Sequence, residues 1–331
     1  MFYRFLQVVV RFALKFFFRR IVINRPEYLK CEGPILLAAN HPNSFLDAII
    51  LDALFEQPIW SLARGDAFRN RFIRKILHQL CILPVYRDSE GTENLSINYT
   101  TFATCQSIFR QNGLVLIFSE GRCINEWKLR PLKKGTARLA IQCWQNGIPL
   151  KVLPIGINYS SFRSFGKDVH LNLGDFIDVQ IIADQPTDGA KIRAFNSRLE
   201  EQLLELVLQN ERTVQPSRTS LPSLLSVRGW LLALIFPAIS GWILHAPLHL
   251  PVRKLLQWKF RDSDHYDSLL FALLLMLYPA YLLLIIGLML LFSAPIWSWW
   301  LLPIFPLTAW CWLQWKVEDS VRADQDFSIA A

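Results

Sequence analysis

The chain has no Cys-x-x-Cys pair and no His-Glu-x-x-His motif. Six cysteines (Cys31, Cys81, Cys105, Cys123, Cys143, Cys311) are scattered over 331 residues, which argues against a zinc knuckle or a small disulfide scaffold. They are expected to be reduced and mostly buried. His245 and His249 stand four apart but without the glutamate of a His-Glu-x-x-His motif, and no metal and no cofactor is expected. Acidic residues are absent from the first twenty positions, where Arg4, Arg11, Lys15, Arg19 and Arg20 stand. A secretory signal would keep its apolar core whole, and Arg11 and Lys15 interrupt it. No recognised nucleic-acid-binding motif accompanies the basic clusters, so the net charge of +8 is not read as a nucleic-acid footprint.

What is present in excess is apolar: 52% of residues, 13% aromatic, more than a soluble chain of this size usually carries. The excess is uneven. Residues 25–212 read as an ordinary globular mixture, 213–228 as a linker with two prolines and several serines, 229–315 as long apolar runs and 316–331 as a tail. Residues 1–24 read as an amphipathic helix at a membrane interface, with Arg4, Gln7, Arg11, Lys15 and Arg19 on one face toward anionic headgroups. Residues 269–292 are long enough to cross a ~30 Å hydrocarbon core, and 295–315, rich in tryptophan, form a second span. The stretch 229–246, interrupted by Pro237 and Gly241, is then re-entrant or interfacial. Arg253, Lys254, Lys259, Arg261, Lys316 and Arg322 put the flanking loops, and with them the globular domain, on the cytoplasmic face. Two further basic groups are Arg64, Arg69, Arg71, Arg74 and Lys75, read either as lipid-facing or as a solvated helix face, and Arg122, Lys128, Arg130, Lys133, Lys134 and Arg138.

Within the globular part, apolar runs at 34–40, 58–64, 81–87, 114–120, 150–158 and 169–178 alternate with segments of helical length at 44–56, 67–80, 93–111 and 132–145. That alternation predicts an α/β fold: a mixed, largely parallel sheet flanked by helices, with its site beyond the strands' carboxyl ends. His41, Arg64, Arg87 and Glu120 fall there. His41 and Asp47, in Asn40-His41-Pro42-Asn43-Ser44-Phe45-Leu46-Asp47, stand six positions apart. A hydroxyl near pH 7 needs a base to become a nucleophile, which imidazole supplies, and a carboxylate can fix its tautomer. Ser44 to Asp47 equally fits a capping box, in which Asp47 would serve the helix. The pair can meet only if Pro42 and Asn43 turn before the helix begins. The amides of that turn, from His41 to Ser44, are candidate donors to an oxyanion.

The blocks Asn40 to Asp47, Leu83-Pro84-Val85-Tyr86-Arg87, Phe118-Ser119-Glu120-Gly121 with Pro131-Leu132-Lys133-Lys134-Gly135, and Val152-Leu153-Pro154-Ile155 resemble, in order, the four blocks of the glycerolipid acyltransferases. The resemblance covers roughly residues 25–180. It implies His41 as general base with Asp47 as its partner, Arg87, Glu120 and Gly121 lining a glycerol-phosphate site, and Pro154 shaping an acyl pocket. Arg64, Arg122 and Lys133 join the candidate substrate-binding set as basic residues at or beside strand ends. Glu120 either accepts from an acceptor hydroxyl or holds Arg87 or Arg122. The commonest first block has four residues between histidine and aspartate. The five here resemble the fungal glycerol-3-phosphate and dihydroxyacetone-phosphate acyltransferases, and Arg122 precedes the usual arginine place, which Cys123 takes. The expected activity is transfer of a fatty acyl group from a thioester, of coenzyme A or of acyl carrier protein, to glycerol 3-phosphate or its 1-acyl form at a membrane. The alternatives are acylation of another lysophospholipid or an amino-acid lipid, or a non-catalytic lipid-binding membrane protein.

Overall fold

The computed structural model describes residues 2–86, 95–207, 224–291 and 300–315. Two compact units divide the chain. The first holds residues 1–8, 22–158 and 170–211, and the second 9–21, 159–169 and 212–331.

Seven strands form one sheet: β1 (Arg20–Ile23), β2 (Ile35–Ala39), β3 (Ile59–Arg64), β4 (Ile82–Val85), β5 (Leu114–Phe118), β6 (Lys151–Tyr159) and β7 (Asp168–Leu173), in the order β1-β7-β6-β2-β5-β3-β4. The neighbours β2–β5, β2–β6, β3–β4 and β3–β5 are all parallel. β7 returns antiparallel to β6: Ser160 N donates to Asp168 O at 3.0 Å and Gly174 N to Pro154 O at 2.9 Å, so the numbers run oppositely along the two strands. The sheet is therefore mixed and mostly parallel. β2 lies near its middle and is buried at all five residues, as a strand covered on both faces must be. Its run of Ile, Leu and Ala meets that demand.

The first unit also carries α2 (Phe45–Leu54), α3 (Arg71–Gln79), α4 (Leu95–Arg110), α5 (Lys134–Gln145) and α6 (Asp188–Leu206). Leu36, Ala38, Val115 and Val152 of the sheet share a core with Cys105 and Phe109 of α4, Leu139 and Cys143 of α5, and Phe195, Leu199 and Leu203 of α6. Neither α6 nor the four-residue β1 was among the elements read from the sequence, and the run 169–178 ends as a strand at Leu173. Three of the six free cysteines are buried and three partly so, rather than mostly buried. Burial pushes the Cys105 and Cys143 thiols up to about 12.

The N-terminal helix α1 (Phe2–Phe17) directs part of its polar face to protein, while Arg4, Arg11 and Lys15 stay exposed. Arg4 Nη1 donates to Glu56 O at 2.7 Å and Gln7 Nε2 to Asp52 O at 2.7 Å and Phe55 O at 3.2 Å, while the Tyr3 hydroxyl pairs with Asp52. Cationic and amide donors thus satisfy the carbonyls that α2 leaves open at its C-terminus. In the second unit Arg19 pairs with buried Asp168. The exposed residues of α1 include the apolar Phe5, Val8 and Phe12, so the face expected to meet headgroups is in part turned to protein.

The second unit's long helices are α7 (Leu224–Phe260), α8 (Tyr266–Leu291) and α9 (Leu301–Trp315). Two segments are long and apolar enough to cross a membrane by length and composition: 235–260, with mean hydropathy 1.2, and 266–291, with 2.6. α9 has 15 residues, a rise of roughly 22 Å, short of a ~30 Å core. Residues 229–246, expected to be interrupted at Pro237 and Gly241, are part of one continuous helix, and 301–315 is the shortest of the three. Gly241 does not break the helix. A Cβ there would lie 2.2 Å from the Thr308 carbonyl, so glycine lets α7 and α9 approach. The helix also begins at Leu224, inside the expected linker, the rest of which, like the tail 316–331, lies largely or wholly outside the described residues.

Candidate active site

β2 delivers the chain to the site and a side chain fixes where it stops. Buried Asn40 donates from Nδ2 to Ile157 O at 3.0 Å and accepts from Ile157 N at 2.7 Å. Its amide thus extends the β2–β6 pairing beyond the strand end. His41 follows, with Nδ1 2.9 Å from Asp47 Oδ2 and its ring flat on Phe118, centroids 3.8 Å apart and planes 9° from parallel. The His41 side chain is 18% exposed and that of Asp47 0%. A carboxylate only accepts, so the pairing assigns the imidazole proton to Nδ1 and leaves a lone pair on Nε2.

On a helix, residues six apart are turned away from each other, so the pair forms because the helix starts late. α2 begins at Phe45, and Ser44 before it adopts φ 53°, ψ −145° with no side-chain cap bond. Such a φ is strained for a residue with a Cβ. Asp47 Oδ2 also accepts from Asn43 N at 2.8 Å. The two readings of Asp47 resolve together: it orients His41 and closes the turn ahead of the helix, and the Ser44 side chain plays no capping-box part.

The far side of the turn is braced by the loop after β5. Glu120 Oε2 accepts from His41 N at 3.1 Å and Oε1 from Arg130 N at 3.0 Å. Ile124 N donates to His41 O at 3.3 Å, and Asn125 Nδ2 to Pro42 O at 2.8 Å. Ser44 N lies 2.8 Å from Cys123 Sγ. These contacts correct the expected oxyanion donors, because the amides of His41, Asn43 and Ser44 are all engaged by Glu120, Asp47 and Cys123, and Pro42 has none. Burial raises the Glu120 carboxyl above its ordinary 4.5, and hydrogen bonds from the Arg130 and His41 amides pull it back.

The remaining expected site residues divide. Gly121 and Arg122 are exposed at the turn after Glu120, and Gly121 takes φ 65°, which favours glycine. The exposed Lys133 packs its Cγ 3.0 Å from where a Gly121 Cβ would stand, and its amide donates to Ser119 O at 2.8 Å. Arg64 pairs with Asp66 at 2.7 Å on the surface, a contact worth at most about 1 kcal/mol. Pro154 lies buried in β6 opposite Ala38, within the sheet. Arg87 lies outside the described residues. Sequence reasoning gave no role to Asn40, Phe118, Cys123 or Asn125. Asn40 and Asn43 flank His41 in one motif, a signal that was there to use, whereas Cys123 and Asn125 act across 79 and 83 positions. Among the described residues no three His, Cys, Asp or Glu are grouped to hold a metal ion.

Residues 20–158 match the family model described as Acyltransferase. This segment, less than half of the chain, is similar to an acyltransferase domain. It contains the His41 turn, the Glu120–Arg130 brace and the Asn40 anchor on Ile157. Comparison with curated proteins gives no match. A solved structure similar to the chain is the 1-acyl-sn-glycerophosphate (LPA) acyltransferase PlsC from Thermotoga maritima, 14% identical, with a TM-score of 0.42, covering 66% of this chain and 81% of that one.

Proposed function

We propose that the acyltransferase domain moves a fatty acyl group from an acyl thioester to the hydroxyl of glycerol 3-phosphate or its 1-acyl form, with His41 as general base. The observation that carries this reading is the His41–Asp47 pair, 2.9 Å apart, with the carboxylate fully buried. Nε2 takes the hydroxyl proton as the oxygen attacks the thioester carbonyl. The tetrahedral intermediate then expels the thiolate, which the same imidazolium protonates, so the base is regenerated within one turnover. Asp47 stabilises the imidazolium between the two transfers. Phe118, stacked on the ring, holds its plane.

Arg122, Lys133, Arg64 and Arg87 are the proposed partners of the acceptor's phosphate, with Gly121 beside Arg122 and Lys133. Guanidinium groups suit a doubly charged phosphate because they offer paired donors. Glu120 is assigned to positioning instead, since both its oxygens hold backbone amides. Pro154 is proposed to shape the acyl site only by keeping β6 in register. The donor is the thioester of coenzyme A or of acyl carrier protein, and no cofactor is needed for the steps drawn. The two apolar helices of the second unit support a membrane setting, and the basic residues Arg253, Lys254, Lys259 and Arg261 favour a cytoplasmic catalytic face. A matrix of labelled donors and acceptors on membranes carrying the chain tests the reading. Label in lysophosphatidate or phosphatidate is expected. Label only in lipids without a glycerol-phosphate acceptor would overturn it.

A further inference from the structure

α3 is amphipathic and lies on the surface of the first unit with most of its apolar side exposed. At roughly 100° per residue, Phe72, Ile73, Ile76 and Leu77 share one side of the helix, and Arg71, Arg74, Lys75 and His78 the other. A helix of a soluble domain buries the first side. Here none of its residues is buried, and Phe72, Ile73 and Ile76 are 71%, 45% and 36% exposed. Only Leu77 of the helix is partly covered, and the His78 ring, itself exposed, touches Trp60 of β3 edge-on, centroids 5.4 Å apart. The helix is nonetheless well formed, because Asn70 caps it by accepting from Phe72 N at 2.8 Å and Ile73 N at 3.3 Å. Its charge is of one sign. Arg69, Arg71, Arg74 and Lys75 are exposed, and no Asp or Glu occurs between Asp66 and Asp88.

We propose that α3 is a membrane-surface helix, its apolar side laid among the acyl chains of an anionic bilayer and its flanking cations against the headgroups. The charge complementarity selects the occupant. A protein partner could cover Phe72 and Ile76, but an uninterrupted cationic flank beside an apolar face is the pattern of helices that lie in the plane of an acidic lipid surface. The contact would hold the acyltransferase domain against the lipid independently of α7 and α8.

The test uses the full chain in vesicles. A photoreactive p-benzoylphenylalanine replaces Phe72 or Ile76, with Glu200, exposed on α6, as the control position. Irradiation in phosphatidylcholine vesicles containing phosphatidylglycerol is expected to give lipid adducts at 72 and 76 and not at 200. The yield should fall several-fold when phosphatidylglycerol is omitted, or in R71E/R74E/K75E. No adduct at 72 and 76, an adduct to a second copy of the chain, or a lipid yield equal at 200 overturns the membrane assignment. A yield indifferent to phosphatidylglycerol overturns the anionic one. No catalytic activity is read, so either failure leaves the acyltransferase reading untouched.

Discussion

At the scale of residues, the site is a turn held from two directions. Asp47 holds it from the helix side through His41 Nδ1 and Asn43 N, and Glu120, Cys123 and Asn125 hold it from the loop after β5. Asp47→Asn keeps one acceptor oxygen but offers an amide where a carboxylate stabilised the imidazolium. It is expected to lower kcat by about 10³- to 10⁴-fold with membrane insertion unchanged, as turnover assays on matched membrane amounts will show. Glu120 yields a pH prediction. Its folded carboxyl titrates above the ordinary 4.5, so between those two values the folded state keeps a proton the unfolded state has lost. Stability therefore falls as pH rises across that window, and Glu120→Gln should flatten the fall in thermal melts taken from pH 4 upward. A fall of equal steepness in the variant would reject Glu120 as its source. His41 and Asp47 were legible in the sequence because one motif holds both. Which amide each acceptor takes was not, because the bracing residues come from the loop that follows a different strand.

At the scale of elements, period and length revealed most of the sheet but not the orientation of amphipathic helices. A hydrophobic stripe says that two faces differ, not which one meets protein. In α1 Arg4 and Gln7 were recruited to open carbonyls of α2, and in α3 the apolar Phe72, Ile73 and Ile76 stay exposed. β1 was illegible because four residues carry too little alternation. Pro237 and Gly241 misled for a different reason: each weakens a solvated helix, but within packed helices a glycine also admits a neighbour. Gly241→Val would drive its side chain into the Thr308 carbonyl. The expected loss is about 1–3 kcal/mol, seen as a lowered Tm in detergent. An unchanged Tm would mean that α7 and α9 do not meet there.

At the scale of the whole molecule, both units bury charge, and the second buries a complete ion pair. Lys167 and Asp267 form an ion pair at 0% exposure for both, beside the Tyr159 ring, whose centroid is 5.2 Å from Nζ. Asp267 also lies in the first turn of α8, where the helix dipole favours an anion. Lys167→Met leaves that charge buried without its countercharge and is expected to cost about 3–5 kcal/mol, most of it recovered in Lys167→Met/Asp267→Leu. Denaturant unfolding of the two variants gives the comparison, and equal losses would deny the coupling. No sequence pattern pairs residues 100 apart, so this contact was invisible before the fold. The central claim remains that His41 is the base of an acyl transfer, and the most direct measurement is transfer of labelled acyl groups, from coenzyme A and from acyl carrier protein, by membranes holding equal amounts of the chain and of His41→Ala. The account predicts product with the unaltered chain and none above background with His41→Ala. Turnover retained by that variant would contradict it.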